Sequence, residues 1–115
     1  MKKEPKEQDD LDRKIYFSIG EVAQQIGIEA STIRFWEKEF DFFLSPHKIK
    51  GIRYYKDEDI RKLKMLHYLR YETGITVEGI QKRLKENPHR TEKNYEIVSR
   101  LKEIRQGILT LMEET

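Results

Sequence analysis

The first regular pattern in the chain is helical, and it follows a charged start. Ser18 and Glu21 stand three residues apart just before an apolar run, which is the signature of a capping box at a helix N-terminus. Gly27 suits the position just past a helix C-terminus, where the backbone becomes left-handed. The spacing therefore predicts one helix over residues 19–26, a short corner, and a second helix over residues 30–40.

The second predicted helix has two distinct faces. At about 100° per residue, Ile33, Trp36 and Phe40 share one apolar face, so Trp36 is predicted to anchor the helix in the core. Arg34 and Phe35 point largely the other way. An aromatic ring beside cations on the solvent side predicts a helix that enters nucleic acid. Two short helices joined through a glycine corner predict a helix-turn-helix, with the second helix as the reader.

A short alternating stretch follows the second helix. Between Lys48 and Tyr55, polar and apolar residues alternate around Gly51, which predicts a two-stranded hairpin with a basic tip. The alternative is a solvated loop with scattered charge. The position of the stretch directly after a helix-turn-helix favours a wing.

Two further helices are predicted after the hairpin. Asp57 is predicted to cap the third helix, whose acidic first turn suits the helix dipole, and Gly74 lies just past its end. The fourth helix starts at Thr76. It stops at Asn87-Pro88, because proline disfavours a helical conformation in the residue before it.

The last segment, from Thr91 onwards, carries a heptad pattern. Its apolar residues are spaced by 4, 3, 4 and 3 positions, which predicts a coiled-coil seam. The residues of this seam are Ile97, Leu101, Ile104, Ile108 and Leu111. The alternative is a terminal helix folded back on the core. A helix of about 36 Å is too long to be covered by a domain of this size, so self-association is favoured.

Length and composition agree with one small domain and a pairing helix. The chain has 115 residues, 37% hydrophobic and 38% charged, which leaves a small core. The predicted fold class is mainly α: a winged helix-turn-helix with a small two-stranded β wing and a long C-terminal coiled-coil helix. The predicted divisions are a disordered charged tail over residues 1–14, a DNA-binding domain over residues 15–90 and a dimerisation helix over residues 91–115. For the tail, a basic arm that closes on DNA is the alternative.

Positive charge is concentrated in the middle of the chain. The net charge is only +2, which by itself does not indicate a polyanionic partner. Residues 45–56, however, hold four cations and no acid, and residues 60–71 hold four more with no acid. Both stretches lie close in sequence to the predicted reader helix, so the distribution favours binding to DNA.

The sequence gives no indication of an enzyme, a cofactor or a metal site. His47, His67 and His89 are far apart, and no glycine-rich phosphate loop or catalytic motif occurs. The absence of cysteine excludes disulfides and thiolate ligands. No apolar run reaches the roughly 18 residues of a membrane span. We therefore expect a cytoplasmic, nucleoid-associated protein without cofactors and without a membrane partner.

Four blocks of the sequence, in register, resemble the DNA-binding domain of the MerR family of mercury-resistance-type regulators. They are SIGEVA at residues 18–23, TIRFWE at 32–37, GIRYY at 51–55 and EDI at 58–60. The resemblance runs from about residue 16 to 84. It implies a winged helix-turn-helix, two further helices as a second wing, and a long helix that pairs antiparallel with its twin.

The resemblance also implies roles for particular residues. Arg34 and Phe35 match the arginine and first aromatic of the family's reader helix, which meet DNA bases and backbone. Arg53 and Tyr55 match the arginine and final tyrosine of the wing, which grip phosphate or the minor groove. Thr32 matches a threonine near the start of the reader helix. The full set of predicted DNA contacts is Ser31, Thr32, Arg34, Phe35, Lys38, Lys48, Lys50, Arg53 and Tyr55.

The sequence departs from the family pattern at several places. The family usually has two tyrosines after its arginine, and Phe35 and Trp36 occupy those positions. Phe35 has no hydroxyl for a phosphate, so its contact is expected to be apolar, against sugar or a thymine methyl. Glu29 is a weaker cap for the reader helix than Ser or Asn. Cysteines near the dimer helix are missing, and we expect no effector domain.

The resemblance implies a sequence-specific transcriptional regulator that binds a palindromic promoter site as a homodimer. It would distort the DNA so that RNA polymerase, a further partner, can engage both promoter elements. A second hypothesis is an architectural or excisionase-like recombination accessory protein, motivated by the lack of a visible effector region. Excisionases usually lack a long pairing helix, so the seam argues against it. A third hypothesis is an adaptor that pairs through the seam with a different, effector-bearing subunit.

Overall fold

The computed structural model describes residues 15–114. Within this range the chain forms five α-helices and one two-stranded antiparallel sheet. The elements are α1 (Ile19–Ile26), α2 (Ala30–Glu39), β1 (His47–Ile49), β2 (Ile52–Tyr54), α3 (Asp57–His67), α4 (Val77–Glu86) and α5 (Pro88–Glu114). The predicted fold class, mainly helical with a small β wing and a long C-terminal helix, is confirmed. The predicted charged tail at residues 1–14 lies outside the described residues.

α1 and α2 form the predicted helix-turn-helix. The Ser18 hydroxyl accepts a hydrogen bond from the Glu21 N–H (3.2 Å), and the Glu21 carboxylate accepts one from the Ser18 N–H (2.9 Å), so the predicted capping box is present. Gly27 follows α1 with a left-handed φ of 85°, and its N–H donates to the Ala23 carbonyl (2.8 Å). Glu29 provides no side-chain cap for α2, in agreement with its weak capping tendency. α1 packs on both α2 and α3.

Ser18→Ala is expected to lower the free energy of unfolding by about 1 kcal/mol, because the Glu21 N–H loses its capping acceptor. Ser45→Ala is a matched control, since it removes the same hydroxyl from an exposed loop position before β1. The control is expected to change stability by less than about 0.5 kcal/mol. Urea unfolding followed by circular dichroism measures both values. An equal loss in the two variants would show that the cap is not the source of the effect.

The hairpin of β1 and β2 is the predicted wing, and the loop alternative is excluded. Its register places three pairs opposite each other: His47 with Tyr54, Lys48 with Arg53, and Ile49 with Ile52. The connecting residues Lys50 and Gly51 both have positive φ, 53° and 80°, the combination of a type I′ turn that matches the twist of the strands. Phe17 and Tyr55 exchange two backbone hydrogen bonds of 2.8 Å, which pair the segment before α1 with the base of the hairpin.

The cap of α3 differs from the predicted one. Asp59, rather than Asp57, satisfies the start of the helix: its carboxylate accepts a hydrogen bond from the Lys56 N–H (3.0 Å), and the residue is buried. Lys56 is the N-cap residue, and its side chain makes no capping bond. Asp59 lies three residues past the N-cap, which is the position from which an acid can reach back to the N-cap N–H.

α3 continues directly into a π-helical turn at Tyr68–Glu72. The Thr73 N–H donates to the Tyr68 carbonyl, five residues back, at 3.1 Å, and the Thr73 hydroxyl donates to the Leu69 carbonyl at 2.6 Å. Gly74 follows with a left-handed φ of 74°, in agreement with its predicted place past the helix end. The turn carries Arg70 and Tyr71 to the neighbourhood of α2.

The core of the first compact unit, which ends at Val77, draws on all three of its helices and on the base of the wing. Its buried hydrophobic residues include Val22, Ile33, Trp36, Phe40, Tyr55, Ile60, Leu63, Met65, Leu66 and Leu69. The predicted burial of Trp36 is confirmed, and its ring centre lies 6.5 Å from that of His67 and 6.4 Å from that of Tyr71. Burying such a side chain contributes roughly 1.5–3 kcal/mol.

The second compact unit begins at Glu78 and contains most of α4 and all of α5. α5 starts at Pro88, earlier than the predicted Thr91, because a proline fits the first turn of a helix, where its missing N–H has no intrahelical partner. No residue of α5 is buried, and the five residues of the predicted seam are each more than half exposed. The boundary after residue 90 between a DNA-binding domain and a dimerisation helix stays a prediction.

No helix within residues 15–114 combines the length and the apolar character needed to cross a membrane.

Candidate nucleic-acid interface

One side of α2 carries the predicted contacts of the reader helix. Ser31, Arg34, Phe35 and Lys38 are all exposed, and their spacing of three or four residues puts them on one side; we call these four residues the reading face. Thr32 is half-buried at its edge. Phe35 is 47% exposed, so a large apolar ring meets water on the same side of the helix as two cationic side chains. The reading face can therefore offer both charge and apolar surface to a partner.

The wing presents exposed cations. Lys48 and Arg53 lie opposite each other in the hairpin register, and Lys50 occupies its turn; all three are exposed. The Arg53 guanidinium reaches the Glu37 carboxylate on α2, so this side of the hairpin adjoins the reader helix. Reader helix and wing are therefore joined by a side-chain contact as well as by the chain.

Tyr55 is not on the surface, whereas a direct contact with DNA requires a surface position. It is 1% exposed, and its hydroxyl donates a hydrogen bond to the Glu37 carboxylate. Side chains two apart on an extended segment point to the same side, so Arg53 and Tyr55 both face α2, and the shorter reach of the tyrosine leaves it inside. The predicted role of Tyr55 is corrected accordingly: it supports the wing from the core.

Glu37 joins these groups, although it was not among the residues predicted to bind DNA. Its side chain lies in the interior, and the residue is 7% exposed. One carboxylate oxygen accepts from Arg53 and the other from Tyr55. A local signal did exist, since Glu37 is four residues from Ile33 and so lies at the edge of the buried face of the helix. Its partners are 16 and 18 residues further along the chain, where no periodicity points to them.

The environment of Tyr55 keeps its hydroxyl protonated. Burial raises the pKa of this hydroxyl well above its ordinary value, and the hydrogen bond to Glu37 and the negative charge of Glu37 raise it further. The positive charges of Arg53 and Arg34 act in the opposite direction, which places both arginines within electrostatic reach of Tyr55. The tyrosine therefore serves Glu37 as a neutral donor at physiological pH.

The raised pKa of Tyr55 predicts a loss of stability in alkali. The folded chain holds this proton more tightly than the unfolded chain, so the stabilisation is fully present below about pH 10 and is lost as the pH rises above it. We expect this group to cost about 1.4 kcal/mol of unfolding free energy per pH unit in that range. In urea unfolding, the stability of Tyr55→Phe, which has no proton to lose at this position, should decline less steeply than that of the wild type above about pH 10 and in parallel with it between about pH 8 and 10. Parallel declines of the two proteins above about pH 10 would contradict the prediction.

A cleft of about 470 Å³ opens beside the N-terminal half of α2. Its lining residues are Ser31, Thr32, Phe35, Trp36, Arg70, Tyr71 and Val77. The Arg70 guanidinium lies 5.4 Å from the centre of the exposed Tyr71 ring, within the range of a cation–π interaction. The π-helical turn thus places a further cation and a further aromatic ring next to the reading face, which sequence alone did not predict.

One cation of the second basic stretch has a structural role. The Lys62 ammonium donates to the Phe43 carbonyl (2.9 Å), lies 4.8 Å from the centre of the Phe43 ring, and is 3.7 Å from the Glu58 carboxylate. It therefore ties α3 to the segment after α2. Arg61 and Lys64 remain exposed on the same helix.

Metal-binding chemistry has no candidate in the described part of the chain. Among residues 15–114, no group of three or more His, Cys, Asp or Glu side chains is arranged to hold a metal ion. The polar groups that converge near α2 are cations, hydroxyls and a paired carboxylate.

A helix-turn-helix with an exposed cationic and aromatic reading face, adjoined by a basic hairpin, defines a winged helix-turn-helix DNA-binding protein. Residues 17–87, more than half of the chain, match the family described as MerR HTH family regulatory protein. The chain belongs to this family, which confirms the resemblance, and the matched residues are those of a DNA-binding transcription regulator. Among curated proteins, no sequence matches the chain significantly.

Proposed function

We propose that this regulator is sequence-specific and acts as a homodimer on a palindromic promoter site. The observation that carries the proposal is the junction of the reading face with the basic wing, through the contact of Arg53 with Glu37. A helix that enters the major groove and a wing that follows the backbone need a fixed relation to each other, and this contact provides one.

The exposed side chains suggest a division of roles on DNA. We propose that Arg34 contacts a base edge, and that Phe35 packs against sugar or a thymine methyl. Ser31, Thr32 and Lys38 are suited to the backbone beside the reader helix. Lys48, Lys50 and Arg53 are suited to phosphates along the wing, which fix orientation and add salt-dependent affinity.

Pairing is proposed to occur through the seam of α5. Ile97, Leu101, Ile104, Ile108 and Leu111 follow one heptad stripe. These residues stay exposed to water in the single chain, and a second copy of the helix is the surface that a heptad stripe fits. Two copies related by a twofold axis would present two reader helices to two symmetric half-sites.

We further propose that the dimer regulates by distorting DNA, with RNA polymerase as a partner at the promoter. Bending a site of 20–30 base pairs by 40–90° costs on the order of 1–6 kcal/mol, which many phosphate contacts can offset. The protein would act at the nucleoid in the cytoplasm. No observation favours the architectural, excisionase-like alternative over regulation.

Selection of bound duplexes from a randomised library tests this function. The wild-type protein should enrich an inverted repeat, and a circular-permutation gel assay on that sequence should detect a bend. A scrambled duplex of the same composition is the control for non-specific binding. Enrichment of no motif, or of a single unrepeated half-site, would contradict the proposal.

A further inference from the structure

A buried carboxylate stands directly behind the proposed DNA-binding surface. Glu37 belongs to the same helix as Arg34 and Phe35, yet it is almost completely enclosed. Burying a charge is costly unless it is paired and hydrogen-bonded, and a negative charge near DNA is a further disadvantage. The other buried acid of the described residues, Asp59, is accounted for by the cap of α3. Glu37 has no such role in its own helix.

The partners of Glu37 both come from the wing side of the molecule. Tyr55 is enclosed and is held by its backbone bonds to Phe17, so its hydroxyl marks a fixed point for the carboxylate. Arg53 is different, because its side chain is 44% exposed while that of Glu37 is 5% exposed. The arginine therefore has one terminal nitrogen on a buried acid, while almost half of its side chain is exposed to solvent.

A guanidinium can serve two partners at once. It carries five N–H donors in a planar fork, and the contact with Glu37 is made through one terminal nitrogen. The remaining N–H donors belong to a side chain that is 44% exposed, which leaves room for a phosphate oxygen beside it. A flexible arginine on a hairpin loses conformational freedom when it binds, whereas one already held by a carboxylate loses less.

We infer that Glu37 is a positioning residue for DNA binding: it fixes Arg53, and with it the wing, so that the arginine is preset to contact a DNA phosphate. The inference rests on the proposed function, in which the wing follows the DNA backbone. It implies that removing a negative charge close to DNA weakens binding, although removal of repulsion alone would strengthen it.

The test compares Glu37→Gln, Arg53→Ala and the double variant on the duplex selected with the wild-type protein. Affinity is measured by fluorescence anisotropy over a series of salt concentrations. Glu37→Gln should lower affinity about tenfold and reduce the salt slope, which is the slope of log affinity against log salt concentration, by about one for each protomer. Arg53→Ala should do the same, because the same phosphate contact is lost. The double variant should bind no more weakly than Arg53→Ala alone, because residues in one network are not additive.

Two further variants distinguish a role of Glu37 in positioning Arg53 from a role in folding. Tyr55→Phe removes one donor but leaves Glu37 with Arg53, so its salt slope should stay at the wild-type value. Arg53→Lys keeps the charge, but a lysine held by Glu37 has no planar fork for a phosphate, so it should also lose about tenfold in affinity. This variant carries the test if Glu37→Gln fails to fold.

Opposite results would overturn the inference. Unchanged or tighter binding by Glu37→Gln with a wild-type salt slope would mean that Glu37 only neutralises Arg53. Additive losses in the double variant, or wild-type affinity in Arg53→Lys, would mean that Arg53 acts independently of Glu37. Failure of the proposed function would look different: the wild-type protein would then select no motif at all. If only the inference is wrong, the wild-type protein still selects a motif, and Arg34→Ala still lowers the preference for that motif.

Discussion

Ile104→Asp is expected to convert the proposed dimer into a monomer. Ile104 lies in the middle of the seam and is more than half exposed in the single chain, so its replacement should leave the chain folded. In a paired seam, the same change places an uncompensated charge between two apolar surfaces. Its cost of about 3 kcal/mol or more corresponds to a roughly 100-fold weaker dimer. Sedimentation equilibrium should then give a mass near the 13.9 kDa of one chain.

The loss of pairing should also lower the affinity for DNA. Two linked readers bind a palindrome far more tightly than one, so affinity for the selected duplex should fall by about 100-fold or more. Gln106→Asp is the matched control, because it adds the same charge on the opposite side of α5 and should change neither mass nor affinity. A wild-type protein that sediments as one chain would refute self-pairing. It would favour the adaptor hypothesis, in which the seam binds a different subunit.

Arg34→Ala is expected to abolish most of the preference for the selected sequence. If Arg34 makes a bidentate contact with a base, its loss costs about 1–3 kcal/mol per half-site, which is roughly 5- to 150-fold in affinity. The effect should be confined to the specific duplex, since scrambled DNA offers no matching base edge. Gel-shift titration of both duplexes measures the ratio of affinities.

Arg105→Ala provides the control for Arg34. It removes another exposed arginine, one that belongs to α5 and to neither the reading face nor the wing, so any general effect of lost charge appears in it too. The control should retain the wild-type ratio of specific to non-specific binding. If Arg34→Ala also retained this ratio, Arg34 would be a backbone contact or no contact at all.

Elements that depend on neighbours in sequence were predictable here. The limits of α1 follow from Ser18, Glu21 and Gly27, all within one short stretch, and the structure agrees with them. The burial of Trp36 follows from a single helical period, and the hairpin follows from alternation around Gly51. Each of these features depends on local backbone physics, which a sequence displays directly.

Features that depend on distant residues were not predictable. The burial of Tyr55 and the role of Glu37 arise because the wing folds back on the reader helix, and only the tertiary structure brings the two segments together. The π-helical turn after His67 was also missed, because the apolar period up to Leu69 fits an uninterrupted α-helix. Asp57 and Asp59 are both suitable acids for the start of α3, and the backbone geometry decides between them.

At the turn of the wing, the residue that would favour stability differs from the residue that would favour DNA binding. Lys50 adopts a left-handed φ of 53°, a conformation that costs a residue with a side chain roughly 1–3 kcal/mol, whereas asparagine adopts it readily. A chain selected for thermostability alone would gain by exchanging this lysine for asparagine, and would thereby discard a cation at the wing tip. We therefore expect Lys50→Asn to arise readily in laboratory evolution for heat resistance and to be eliminated when growth depends on occupancy of the promoter.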